Sequence, residues 1–494
     1  MRISQALAQA TAQRPAKVPL ELPLQSNPGR DGHDGATRLI NCYVEKIGKE
    51  GKIELPIYAC DGLDSFATLS GGGACRGLFS TEIWCLAVSG RLLFAVNSSG
   101  DVTTIGGLAD DGIVVFSRNR ASPADIVLTT TAGFKYTLVY SGTSFTLTEI
   151  SDTDLPPAIS NSFINGYTLY FTISGKVFYS ALDDADSIDA NDYFEAEGDP
   201  DRLVRGFVHQ NTIFLLGDKT TELWVNDPDD TNNPFHRAPG GFLQLGCLAP
   251  GSVVSLRENI AFIDNHSQVR IANAAGSTQR ISIHAVERAI DSLSAVQKLT
   301  IEGFVYERRG HIFYVLSSAA FTWVYDLTTG QWHERVSHEQ LRWRAAYYTK
   351  FGEKHIVGDF EDSVLHEINP DARDENGDHL VMTARIPIHA WPNAINLKRL
   401  HVDMIPGVGL NSASLELSDP QLMLRQSING GKSFGTERTR SIGKIGQYTA
   451  TTTFDKCGVS GEDGFIVELS ASAAVVRAFT GLAAEIDPKR RGVT

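Results

Sequence analysis

No stretch of about 18 apolar residues occurs anywhere in this sequence, which leaves no segment able to cross a bilayer as a helix. Cysteine is sparse and unpaired in pattern: Cys42, Cys60, Cys75, Cys85, Cys247 and Cys457 are scattered with no CxxC among them. They are expected to be reduced, mostly core-filling thiols of a protein made in a reducing cytoplasm. Bases are outnumbered, with 44 Lys and Arg against 58 Asp and Glu and a formal net charge of −14. Such a chain is a poor nucleic-acid binder by electrostatics alone. HExxH, GxSxG, P-loop and GxGxxG patterns are all absent. Among 13 histidines the nearest approach to a metal pattern is His333 with His338, which lacks further ligands at usable spacing. No catalytic, cofactor-binding or metal residue is therefore assigned, no cofactor is expected, and partner-binding residues are not identified. The N-terminus carries Ala6-Leu7-Ala8 between glutamines and lacks the apolar core of a signal peptide. Residues 1–20 hold Arg2, Arg14 and Lys17 and no acid, reading as a solvated tail or as an arm that orders on a partner.

What is present is apolar, turn-rich and repetitive. A content of 42% hydrophobic and 21% charged residues marks a globular chain, and 494 residues call for two or three domains. The clearest stretch, 304–334, reads as four short antiparallel strands. Phe304 and Tyr306 alternate with polar neighbours, and Arg309-Gly310 turns the chain. Ile312, Tyr314 and Leu316 then share one face while Phe313 and Val315 share the other. The turn at Thr328-Thr329-Gly330 needs a positive φ, which Gly330 supplies. Four strands with both faces apolar must stack on copies of themselves or on another sheet.

Similar units recur about every 40 to 50 residues, the spacing of propeller blades. They cover 83–105, 113–150, 163–180, 203–225, 253–272, 304–334 and 343–365. The expected fold is all-β: a β-propeller of six or seven blades over 74–368, after an N-terminal arm and turn-rich lead-in, 1–73, partly packed on the other domains. A polar linker at 369–378 leads to a C-terminal antiparallel β-sandwich over 379–494, ending in a frayed tail. One helix is expected over 283–297, with Val286, Ile290, Leu293 and Val296 on its apolar face, as rim packing or as a docking helix. Between Lys176 and Arg202 lie nine acids and no base: Asp183, Asp184, Asp186, Asp189, Asp192, Glu195, Glu197, Asp199 and Asp201. The glycine of a calcium loop is missing, so a solvated loop is expected over a cation site. Residues 427–434 look like an Asp-box hairpin turn with Asn429 in place of the aspartate.

Three stretches together resemble the packaged-DNA stabilisation proteins, also called tail hub or nozzle proteins, of short-tailed bacteriophages. The first is Arg38-Leu39-Ile40-Asn41-Cys42-Tyr43-Val44-Glu45. The second is 196–201 with its Pro200-Asp201, followed by Thr220-Thr221-Glu222-Leu223-Trp224. The third lies at 424–435 and 441–448. The chain departs from the family pattern after Phe454, where a tryptophan and an arginine-rich stretch are replaced by 455–460. The resemblance implies a structural, non-enzymatic virion protein: a homohexameric ring that extends the DNA channel below the portal and its head-to-tail adaptor and helps retain the packaged genome until ejection. It implies as further partners tail fibre or tailspike proteins and a tail plug or needle, with DNA passing unbound, and a place in the virion tail after synthesis in the host cytoplasm. The competing readings are a sialidase-like propeller glycosidase, which would need converging arginines with a Tyr/Glu pair, and a carbohydrate-binding propeller. Arg76, Arg205 and Arg342 stand near blade starts as candidates for the former. Trp84, Trp224, Trp323 and Trp332 sit in strand patterns and are expected at or near the core.

Overall fold

The computed structural model describes residues 16–489 apart from 33, 49–53, 197, 200, 231–232 and 391–392. Strand His311–Ser318 explains the architecture, because every one of its residues is buried. Ile312, Tyr314 and Leu316 enter one apolar core with Ile263 and Val269, while Phe313 and Val315 enter another with Trp343 and Val357. The neighbours on both sides are sheets of the same design. Seven four-stranded antiparallel units run over 75–107, 114–149, 158–195, 203–243, 254–280, 302–334 and, for the seventh, 345–369. An apolar core fills each gap between successive units. The first strands of neighbouring units touch, and Ala345–Phe351 returns to Cys75–Ser80. The fold is a seven-bladed β-propeller.

The seventh blade has only three strands of its own. Gly62–Thr68 completes it by pairing antiparallel with Val364–Asn369, with Leu365 opposite Ala67. These residues read as a turn-rich lead-in because Asp64 and Ser65 interrupt the apolar pattern; the strand faces solvent with those two and buries Leu63 and Ala67. The expected acidic loop is likewise a strand, Asp184–Glu195, the outermost of the third blade. Ala185, Ile188 and Phe194 are buried while Asp184, Asp186 and Asp189 are exposed. Charge along an unpaired edge prevents another chain from adding to the sheet.

The expected single helix over 283–297 is two. His284–Asp291 buries Val286 and Ile290, with Leu293 following into the same core. Ser294 then caps Ala295–Leu299 through a capping box with Gln297, and the change of axis leaves Val296 73% exposed. A side-chain pair that satisfies two backbone donors thus outweighs continuation of the apolar stripe.

Beyond the ring lie two sheets around one large core. In the first, Ala36–Ile40, Met382–Ile388, Phe465–Ala471, Gln421–Ser427 and Arg438–Ser441 are hydrogen-bonded in that order. In the second the order is Thr452–Val459, Ala394–Met404, Ala478–Lys489, Ile57–Ala59 and Cys42–Val44, with Ala16–Leu20 also on Ala478–Lys489. Leu39, Ile386, Leu424 and Leu469 of one sheet and Leu400, Phe454, Phe479 and Ala484 of the other belong to the same core. Residues 16–59 therefore supply strands to both sheets, and Ile40 also makes a parallel contact with Glu334 of the sixth blade. The final strand runs to Lys489, and the rest of the expected frayed tail, 490–494, lies outside the described residues. The polar segment 369–378 is pinned by Glu375, which has no exposure and accepts from Trp343 Nε1 at 2.8 Å. Its side chain turns inward, so polarity there marks a buried anchor and not a free linker.

Candidate functional site

Inner strands of six blades line an open-mouthed cavity of about 340 Å³ at the axis of the ring, with Phe79, Phe116, Arg205, Phe207, Phe304 and Tyr347 among its walls. Several of these strands carry a β-bulge near their start, between Cys75 and Gly77, Leu203 and Arg205, and Ala346 and Tyr348. A bulge inserts one residue and re-aims the side chains beside it. Tyr347 is the inserted residue of the last one and has φ 55°. Burial, with Glu302 and Cys75 nearby, raises its pKa well above the ordinary tyrosine value.

The three arginines singled out at blade starts have different fates. Arg342 is buried and pairs with Glu302. Arg76 donates to the carbonyls of Gly90 and Gly112 and lies 3.9 Å from Asp110, so it ties the first two blades together. Only Arg205 faces the cavity, and its buried Nε has no acceptor. Burial lowers its pKa to about 10, and the only opposing influences are Cys247 and Tyr347. The converging guanidinium cluster that a sialidase-like centre requires is therefore not assembled: two of the three candidates are used up in contacts within and between blades. Arg205 was legible in the sequence. Tyr347 was not, since a positive φ is signalled by glycine or asparagine and this residue is neither.

The remaining sequence candidates resolve into structural roles. His333 is buried, its pKa pushed down to about 3 by burial, and its Nε2 lies 3.9 Å from Cys60 Sγ. His338 lies apart from it, beside His379. Among the described residues no group of three or more His, Cys, Asp and Glu side chains is placed to hold a metal ion. All six cysteines are buried and free; burial raises the thiols of Cys60 to about 11 and of Cys75, Cys85 and Cys247 to about 12, which makes them unreactive. Trp323 and Trp332 are core residues, whereas Trp84 and Trp224 are partly buried at core edges. Lys17 is exposed; Arg2, Arg14, Glu197, Pro200, Arg490 and Arg491 lie outside the described residues.

The family-like stretches hold turns and junctions. Asn41, at φ 55°, donates from Nδ2 to the carbonyls of Val336 (2.8 Å) and Val381 (3.0 Å), and its Oδ1 accepts from Val336 N (2.9 Å). It joins the segment after the sixth blade to the segment before Met382–Ile388. Glu45 reaches His311 Nε2 at 3.1 Å, and His311 Nδ1 meets Asp326 at 2.7 Å. Asp201 Oδ2 accepts from the backbone N–H groups of Lys219 (2.9 Å) and Thr220 (2.8 Å), closing a hairpin turn. Glu222, 3% exposed, accepts from Trp224 Nε1 at 2.9 Å. Asn429 Oδ1 accepts from Ser433 N at 3.0 Å, the contact an aspartate would make in an Asp-box turn.

A sequence model of the phage stabilisation family, described as "Bacteriophage P22 Gp10, beta-propeller", matches residues 57–373. The matched span includes all seven blades and the strand that completes the seventh; 38–45 and 424–448 lie outside it. No curated protein sequence matches the chain. Among solved structures, the WD40 beta propeller domain of Doa1 is similar at 13% identity and a TM-score of 0.39, covering 62% of this chain and 97% of its own. The computationally designed Ika8 protein is similar at 10% identity and a TM-score of 0.37, covering 62% of this chain and 100% of its own.

Proposed function

Because this chain belongs to the phage stabilisation family of the Bacteriophage P22 Gp10 propeller, we propose that it is a subunit of the virion's tail hub or nozzle. In this reading six copies form a ring below the portal and its head-to-tail adaptor, lengthen the DNA channel and help retain the genome until ejection. The observation that carries it is the use made of the family-like residues. Asn41, Asp201, Glu222 and Asn429 are all spent on holding turns and sheets, as befits a rigid building block and not an enzyme.

Charge supports passage without adhesion. Six copies carry six times the net charge of −14, and a duplex is gripped only where Lys or Arg displaces its counterions. We expect a lumen of acids and neutral polar groups, with retention by steric closure or a separate plug or needle. The protein partners in this reading include the adaptor and tail fibres or tailspikes. The Debye length of about 8 Å at physiological salt confines repulsion to DNA near the wall.

Electron microscopy of the purified protein, alone and mixed with portal and adaptor, tests the proposal. Six-fold rings that extend the portal stalk in side view are expected; single propellers that never join the stalk would refute it. A filter assay of isolated rings with linear duplex tests the lumen. Tight binding at physiological salt that falls steeply as salt rises would show a basic channel.

A further inference from the structure

The cavity on the propeller axis contains a cation, Arg205, that no carboxylate among the described residues pairs with. Its buried Nε has no acceptor. Elsewhere in the ring, Arg342 has Glu302 and Arg270 has Asp264 as carboxylate partners. An isolated charge in an apolar site is costly and is tolerated where a counter-charge arrives from outside. The walls around Arg205 are aromatic, with Phe79 and Phe116 stacked at 5.6 Å and Phe304 and Tyr348 at 6.0 Å. Tyr347, set there by its bulge, adds a hydroxyl that makes no hydrogen bond among the described residues, and the Glu302 carboxylate near it is paired with Arg342. One guanidinium, one hydroxyl and several rings in about 340 Å³ describe a pocket for a small monoanion with an apolar body, because a planar carboxylate meets guanidinium with two parallel hydrogen bonds. A phosphate would bring more charge than one arginine offsets and no surface for the rings.

We propose that the propeller cavity binds a small aromatic or aliphatic carboxylate, with its carboxylate on Arg205 and Tyr347 and its body against Phe79, Phe116, Phe207 and Phe304. This goes beyond the virion role and does not depend on it, since the site lies within one subunit. The probe is benzoate, titrated by calorimetry into the full-length protein, with benzyl alcohol and inorganic phosphate as comparisons. Saturable benzoate binding is expected, weakened about tenfold or more in Arg205→Met by loss of a charge-assisted hydrogen bond and by a smaller factor in Tyr347→Phe. Benzyl alcohol should bind weakly and equally to both proteins. Arg205→Met should melt no lower than the parent, because it removes an unpaired, half-buried charge. Arg205→Lys provides a second variant, keeping the charge but losing the two-pronged contact, and it too should lose affinity. Absence of saturable benzoate binding at millimolar concentration, unchanged affinity in both arginine variants, or phosphate binding more tightly than benzoate would each overturn the assignment.

Discussion

Removing the carboxylate of Glu375 should unfasten the ring from the segment that follows it. Glu375 and Arg335 are both buried, 3.6 Å apart at their nearest N and O atoms, with Trp343 as the third member. The Trp343 indole donates to Glu375 at 2.8 Å and its ring lies 3.6 Å beneath the Arg335 guanidinium. Burial pushes the Glu375 carboxyl above the usual carboxylate range, against the pull of Arg335. In Glu375→Leu the guanidinium keeps its position and loses its counterion, which costs about 3 to 5 kcal/mol. Glu375→Gln retains an acceptor for Trp343 and should cost less, about 1 to 3 kcal/mol. The double change Arg335→Met/Glu375→Leu removes both charges and should recover most of the loss, ending within about 2 kcal/mol of the parent. Urea unfolding followed by tryptophan fluorescence reads these proteins together with the single variant Arg335→Met, with Trp343 reporting from within the site. A double variant as unstable as the sum of the single losses would show that the two residues act separately and refute the reasoning.

Other outcomes follow from the same contacts. Burial opposes a charged His311, yet its hydrogen bonds to Asp326 and Glu45 raise its pKa above the ordinary value. Its stabilising contribution is then complete below the unfolded value of about 6.5 and lost as pH rises through the folded value; the melting temperature should fall over that alkaline span, and His311→Gln should flatten the fall. At Gly330, φ is 72° and an added Cβ would meet only the Tyr325 hydroxyl at 3.9 Å. The penalty there is conformational, so Gly330→Val should cost about 1 kcal/mol or more, and an unchanged melting midpoint would refute it. Asn41→Ala deletes three hydrogen bonds and should cost about 2 to 4 kcal/mol, with faster proteolysis of the N-terminal segment as its signature. Sialosides and cell-wall glycans should show no turnover, and a turnover abolished by changing one carboxylate would overturn the structural reading.

The ring was legible because its signal is periodic. Ile312, Tyr314 and Leu316 opposite Phe313 and Val315 state that a strand has two apolar neighbours, and only stacked sheets supply them. Segments with a different logic were harder to read. Gly62–Thr68 pairs with residues some 300 positions away, and no local pattern records such a partner. Asp184–Glu195 is an edge strand whose sequence is shaped by solvent, which also shapes loops. Glu375 looks like one more charge in a polar linker until Trp343 and Arg335 are brought to it. At the candidate site, Arg205 was marked by its place at a blade start, whereas its isolation depends on where every carboxylate lies.

The pairing of Ala16–Leu20 with Ala478–Lys489 bears on how the protein comes into being on the ribosome. Ala16–Leu20 emerges before any blade and finds its partner only after all seven blades have been made. The seventh blade has the same delay, since Gly62–Thr68 waits for Val364–Asn369. Until then both strands expose unpaired edges, and closing loops of such length makes folding slow and open to wrong pairings. The arrangement makes synthesis of the late strands the signal for locking. A nascent or truncated chain can build blades, but it has neither a closed ring nor a finished second sheet to offer to an assembling particle.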